Sequence, residues 1–152
     1  MSEPTNSTIG TTRRHHTTNP YEHLFGYSRG VRKGPFIFIS GTTSTSTTST
    51  STTSTSTTST SSTPIILHPD SAYEQAKHIF HTIIDSVEYL GGKRTDIIRV
   101  RMFVRDGKDT GEVGRALKES LGEVLPAATM IVGAGFVNPD MKVEIEADAV
   151  VL

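Results

Sequence analysis

From Thr42 to Thr63 the chain is an uninterrupted run of 22 residues that are all Ser or Thr. The run reads as the pentad TTSTS four times over, followed by Ser62 and Thr63. A five-residue period of this kind matches no solenoid or propeller repeat. With no apolar side chain it cannot offset the entropy of ordering itself, and an extended segment without an apolar face is weakly held in register. The expected state is a flexible surface loop, an expanded spacer. The alternative is a hydroxyl-rich platform for O-linked sugars or phosphates. Either way the core must come from the rest of the chain. Residues 1–19 supply only Met1 and Ile9 to the apolar set, and outside both segments 50 of 111 residues are apolar, enough for one compact domain and too few for two. The expected organisation is a disordered tail at 1–19 and one domain at 20–152, interrupted by the Ser/Thr insertion at 42–63.

Absent residue types narrow the chemistry. There is no Cys, so disulfides, thiolate metal sites and cysteine nucleophiles are excluded. Fifteen basic residues against sixteen acidic ones give a net charge of −1, which leaves no basic footprint for nucleic acid. The longest apolar runs, such as Phe36 to Ile39, are too short to span a bilayer. The N-terminus lacks the apolar stretch of a secretory signal. The expected setting is cytoplasmic; the Ser/Thr-rich N-terminus with Arg13 and Arg14 also admits a mitochondrial transit reading, against which Glu3 and the missing apolar face argue.

Periodicity predicts two short strands, Tyr27 to Lys33 and Pro35 to Gly41, joined at Gly34-Pro35. Asp70 or Ser71 is positioned to cap a helix, with Glu74 three residues after Ser71. That helix carries Ala76, Ile79, Phe80, Ile83, Ile84, Val87 and Leu90 at helical spacing and stops at Gly91-Gly92. Ile97 to Asp106 predicts a strand with Ile98, Val100, Met102 and Val104 on one face and Arg99, Arg101, Phe103 and Arg105 on the other. A second helix is expected from Asp109 to Leu125, with Val113, Leu117, Leu121 and Val124 on its buried stripe, ended by Pro126. Strands follow at Ala128 to Val132 and Lys142 to Val151. The order β-β-α-β-α-β-β, with two amphipathic helices needing one sheet face, predicts an α+β two-layer sandwich.

The opposite sheet face would carry three arginines from one strand and Glu144, Glu146 and Asp148 from another. It could be salt-bridged surface, or it could line a polar interface or pocket. His78, His81 and Asp85 share the outer face of the first helix, a spacing open to zinc but better read as solvated polar surface. No metal and no cofactor is called for. Gly133 and Gly135 read as a bulge rather than a nucleotide loop.

Five segments together resemble the Rid family of reactive-intermediate deaminases, also known as the YjgF or L-PSP endoribonuclease family. They are Gly26-Tyr27-Ser28-Arg29; Phe38-Ile39-Ser40-Gly41-Thr42; Ile98 through Asp106; Pro126-Ala127-Ala128-Thr129-Met130; and Val143-Glu144-Ile145-Glu146-Ala147-Asp148-Ala149-Val150. The resemblance covers about residues 20–152 apart from the Ser/Thr insertion. It implies a chorismate-mutase-like fold, one mixed β-sheet with two helices on one face, and a homotrimer whose sheets form a central barrel with small-molecule pockets between subunits. In deaminating members these pockets hydrolyse enamines or imines such as 2-iminopropanoate to a keto acid and ammonia.

Carried onto this sequence, the resemblance makes Glu144 the residue that positions the attacking water, with Tyr27, Ser40 and Gly41 on the pocket wall. The arginine that clamps the substrate carboxylate in deaminases falls on Ala128, as in a Rid subfamily with Pro-Ala-Thr-Thr-Met at this point. An early polar residue of the second helix falls on Gly114. Two readings then exist for Arg101: a cation facing Glu144 in the pocket, or a structural partner of Glu144 or Glu146. The functional expectation is a Rid-like hydrolase or deaminase of a small reactive metabolite lacking the usual carboxylate, with Glu144 as base. The alternative is a non-catalytic trimeric module that binds a small molecule or protein. A ribonuclease reading ranks below both, since no His pair or basic groove marks the pocket face.

Overall fold

The alternation of Val143, Ile145, Ala147 and Ala149 against Glu144, Glu146 and Asp148 puts the last strand at the centre of the fold. In the computed structural model of the chain, which describes residues 11–46 and 64–152, those four apolar residues are buried and the three acids lie on the other face. The strands are β1 (Thr12–His15), β2 (Gly30–Lys33), β3 (Phe36–Thr42), β4 (Thr45–Ser46), β5 (Ile65–Ile66), β6 (Ile97–Val104), β7 (Ala127–Val132) and β8 (Val143–Val150). The helices are α1 (Pro20–Phe25), α2 (Ala72–Tyr89) and α3 (Thr110–Leu121). Six strands form one sheet in the order β1-β2-β3-β8-β6-β7, while β4 and β5 pair separately. Only β6 and β7 run parallel in the six-stranded sheet, so it is mixed.

Helices α2 and α3 pack together, and α2 lies on β3 and β8, so a single core fills the space between helices and sheet. Ala76, Ile79, Phe80, Ile83, Val87 and Leu90 are wholly buried, as their spacing required. Ser71 Oγ accepts the Glu74 amide at 3.1 Å and caps α2. At the far end Gly91 adopts φ 84°, a left-handed conformation that a Cβ would strain. Helix α3 is shorter than the expected Asp109–Leu125. The amides of Val124 and Leu125 both close onto Leu121 O, Leu125 takes φ 53°, and its side chain is left exposed.

Three further expectations are corrected. Residues 12–15 lie in the segment expected to be a disordered tail, yet they form β1, paired antiparallel with β2. Arg13 from β1 and Arg32 from β2 both donate to carbonyls at the C-terminus of α2, where a cation is favoured, and His15 stacks on Tyr89 with centroids 4.1 Å apart. Non-local hydrogen bonds of this kind leave no periodic trace in a polar segment.

In β6 the inward residue is Ile97, 1% exposed, rather than Ile98, 51% exposed. The ladder with β8 advances one residue on β8 for two on β6 between Ile97 and Arg99, a bulge that flips the alternation.

Finally, the Ser/Thr run does not begin as spacer. Thr42 completes β3, Thr42 and Ser44 are buried, and Thr45–Ser46 pair with Ile65–Ile66, so the first pentad belongs to the fold. The remainder of the spacer reading, residues 47–63, lies outside the described residues.

Candidate functional site

A bulge in β3 builds the site. Between Ile39 and Thr42 that strand spends three residues where β8 spends two, from Ala147 to Ile145. The extra residue falls at Ser40-Gly41, and Glu144 on β8 comes directly against Gly41. A Cβ built on Gly41 would collide with Glu144 Oε1 and stand 3.1 Å from its Cδ, so glycine is required for the carboxyl to lie there. The other side of the Gly41 peptide faces Arg29, whose Nη1 donates to Gly41 O at 2.9 Å and to Thr42 Oγ1 at 3.1 Å.

Around this bulge lies a cavity of about 440 Å³, of a size suited to a small metabolite. Tyr27, Arg29, Gly41 and Glu144 line it together. Asn19 and Tyr21, at the start of α1, add one wall; Thr43 and Thr45 of the first pentad add another. Phe136 and Asn138 come from the loop before β8.

Burial pushes the Glu144 carboxyl above the ordinary carboxylate range, the Arg29 charge pulls part of that back, and Glu146 adds to the rise. Such a group holds a proton more readily than a free glutamate and is better matched to general-base work near neutrality.

The sequence-derived candidates separate into two groups. Tyr27, Gly41 and Glu144 meet at the cavity. Ser40, Arg101 and Ala128 are not among its lining residues in the single chain. Ser40 Oγ donates to Ser28 O at 2.7 Å and ties the open end of the β2–β3 hairpin, beside the wall. Arg101 binds Glu146 Oε1 at 2.6 Å and Asp148 Oδ2 at 3.2 Å within the chain, the pairing with Glu146 that its structural reading expected. The hydrogen bond to Glu146, then burial working against it, then the Asp148 charge set the guanidinium pKa, with a net rise. Ala128 lies on β7, the edge strand two places from β8, in register with Val100.

The residue the sequence pointed to without a role is Arg29, two positions after Tyr27 in the segment that leads into β2, and both line the cavity. Its side chain is buried, with Nε 3.6 Å from Glu22 Oε1. Glu22, also buried, accepts from Thr17 N at 2.8 Å and Thr17 Oγ1 at 2.6 Å. No local pattern marks Glu22 as buried in a six-residue helix whose other charged and aromatic side chains are exposed.

On α2, His81 pairs with Asp85 at 3.5 Å on the exposed surface. Among the described residues no group of three or more His, Asp or Glu gathers as a metal site. No helix among them is long and apolar enough to cross a membrane.

Comparison with known proteins agrees with this architecture. The sequence model of the family described as endoribonuclease L-PSP matches residues 17–151. An uncharacterised protein of Streptomyces coelicolor is 28% identical over 137 residues, covering 90% of each chain. A RutC family protein of Haemophilus influenzae is 29% identical over 82 residues, which is 54% of this chain and 71% of that one. Among solved structures, a YjgF family member from Mycobacterium tuberculosis superposes with a TM-score of 0.75 at 26% identity, covering 93% of this chain and 100% of that one. A YjgF family protein from Neisseria meningitidis gives 0.69 at 20% identity, covering 95% and 98%, a likeness of fold. The mixed sheet with two helices on one face is the chorismate-mutase-like fold of these structures. The match across residues 17–151 and the shared fold place the chain in the endoribonuclease L-PSP family, that of the Rid and YjgF proteins.

Proposed function

We propose that the chain hydrolyses small reactive imines or enamines in the cavity beside Gly41, with Glu144 as the base. The observation that carries this reading is the desolvated Glu144 carboxyl, held against a glycine-only wall in a small cavity with a guanidinium at hand. Glu144 would take a proton from water as its oxygen bonds to the imine carbon. Glu144 returns that proton to nitrogen to complete the carbinolamine, then relays the hydroxyl proton to nitrogen as the C–N bond breaks, and ammonia leaves with a carbonyl product. An enamine enters the same sequence after protonation on carbon. Water supplies the oxygen, so no oxidant or cofactor enters the balance.

The trimer implied by the family belongs to the same proposal. On the face away from the helices Phe36 and Phe38 of β3 and Ile131 of β7 are exposed beside the Arg101–Glu146–Asp148 cluster. A second subunit would cover that apolar area.

The test is ammonia release from 2-iminopropanoate and from its uncharged amide counterpart, each generated in situ. The wild-type chain should accelerate release from at least one, and Glu144→Gln should lose the acceleration. The same background rate with and without protein for both substrates would refute hydrolysis. The non-catalytic binding module, which the alanine at position 128 favours, would then take its place.

A further inference from the structure

Of the described residues lining the cavity, only Arg29 and Glu144 carry formal charge. A guanidinium with nothing to balance it would select an anionic ligand, because its fork of N–H donors fits a carboxylate. Arg29 is not in that condition. Its Nε sits 3.6 Å from Glu22 Oε1, with the two side chains only 7% and 3% exposed. Its Nη1 is committed to Gly41 O and Thr42 Oγ1. Glu22 in turn is fixed in place by the two hydrogen bonds from Thr17, with His16 Nδ1 3.6 Å away on its outer side.

One guanidinium therefore already answers two carboxyl groups, Glu22 behind the wall and Glu144 within the cavity. A ligand carboxylate would add a further negative charge where screening by water is reduced. An uncharged ligand escapes that cost. It can still use the hydroxyls of Tyr27 and Thr43, the amide of Asn138 and the ring of Phe136.

From this arrangement we infer that Glu22 is the specificity-determining residue of the cavity: by cancelling Arg29 it reserves the site for an uncharged carbonyl or imine compound and turns carboxylates away. The inference rests on the hydrolase reading for the functional group of the ligand, and on Glu22, Arg29 and Glu144 for its charge. It also gives the alanine at position 128 a physical counterpart, since neither position then provides a free cation for a substrate carboxylate.

Pyruvamide and pyruvate form the test pair. They share skeleton and ketone, and differ in charge. Their affinities for the full chain are measured by NMR titration at pH 8. The wild-type chain should bind pyruvamide at least ~10-fold more tightly than pyruvate, a free-energy difference of about 1.4 kcal/mol. Glu22→Gln, which keeps an acceptor for Thr17 but removes the charge, should bring the ratio to about one or invert it. Glu22→Gln combined with Arg29→Gln removes both charges and should restore the preference for pyruvamide. Thermal unfolding and circular dichroism establish that each variant is folded, and the wild-type ratio needs no variant at all. A wild-type preference for pyruvate, a ratio unmoved by Glu22→Gln, or binding of neither probe up to its solubility limit would overturn the inference. Absence of ammonia release with the binding ratio as expected counts against hydrolysis alone.

Discussion

Two walls of the cavity hang on one buried amide. Gln75 of α2 is 1% exposed. Its Nε2 lies 2.8 Å from Asp140 O, 3.1 Å from Leu67 O and 3.2 Å from His68 O, and its Oε1 accepts from Lys142 N at 2.9 Å. An NH₂ group has two hydrogens, so Asp140 O takes one and the adjacent Leu67 and His68 carbonyls share the other. Gln75 thus joins the segment after Pro64 and Ile66 to the segment that carries Asn138 and Met141, all four lining the cavity.

Gln75→Leu keeps the volume and removes three hydrogen bonds' worth of interaction. At roughly 0.5–1.5 kcal/mol each the loss comes to about 3 kcal/mol, with little cavity term because leucine fills the space. The assay is guanidinium unfolding of wild type and variant at equal subunit concentration, with amide exchange at Lys142 as a local readout. A loss below about 1 kcal/mol, or unchanged protection at Lys142, would refute the reasoning. Gln75→Glu sharpens the test. It keeps an acceptor for Lys142 N but turns an anion towards three carbonyl oxygens, so its folded pKa must rise. Its penalty should be largest at neutral pH and shrink as pH falls through that raised value.

Other predictions follow from the same geometry. Gly41→Ala must displace the Glu144 carboxyl, so ammonia release should fall about 10- to 100-fold while the melting temperature changes little; retained turnover would show that Glu144 need not lie against residue 41. Because burial raises the folded-state pKa of Glu144, its contribution to stability is fully present below the unfolded glutamate value and is lost as pH rises through the folded one. Glu144→Gln should therefore melt higher than wild type at pH 7–8 and converge with it near pH 4, about the unfolded value; a lower melting temperature at neutral pH would contradict the burial argument. Ala128→Arg can reach a Glu144 only from a neighbouring subunit, so a gain in turnover of 2-iminopropanoate in that variant, read beside light scattering, tests the inter-subunit pocket. Replacing residues 47–63 by a Gly-Asp turn should leave the melting temperature and cavity binding intact, since Thr45 and Ser46 are held by Ile66 and Ile65; loss of folding would show that the segment does more than connect.

Local pattern was strong where one face of an element is apolar. The spacing from Ala76 to Leu90, the alternation from Val143 to Ala149 and the Gly91 stop each predicted an element that forms, because burial of a periodic face is written directly in the residues. The segments that resemble the Rid family also singled out Tyr27, Gly41 and Glu144, which line one cavity. Polar segments behaved differently. Thr12–His15 and the first TTSTS pentad look like spacer, and both are ordered by partners far along the chain: the end of α2 for one, Arg29 and Ile65–Ile66 for the other.

Sequence by itself thus determined the layer architecture and the family, and singled out Glu144, which lines the cavity, since hydrophobic periodicity and short motifs are local properties. Tertiary structure alone decided which arginine serves the cavity. Arg101 has the better-looking strand position, but the register with β8 sets it on Glu146 and Asp148. Arg29 reaches the cavity because a bulge at Ser40-Gly41 opens the Gly41 carbonyl to it, and α1 brings Glu22 behind it. Charge pairing depends on distances between elements, and those distances come into being only when the elements pack.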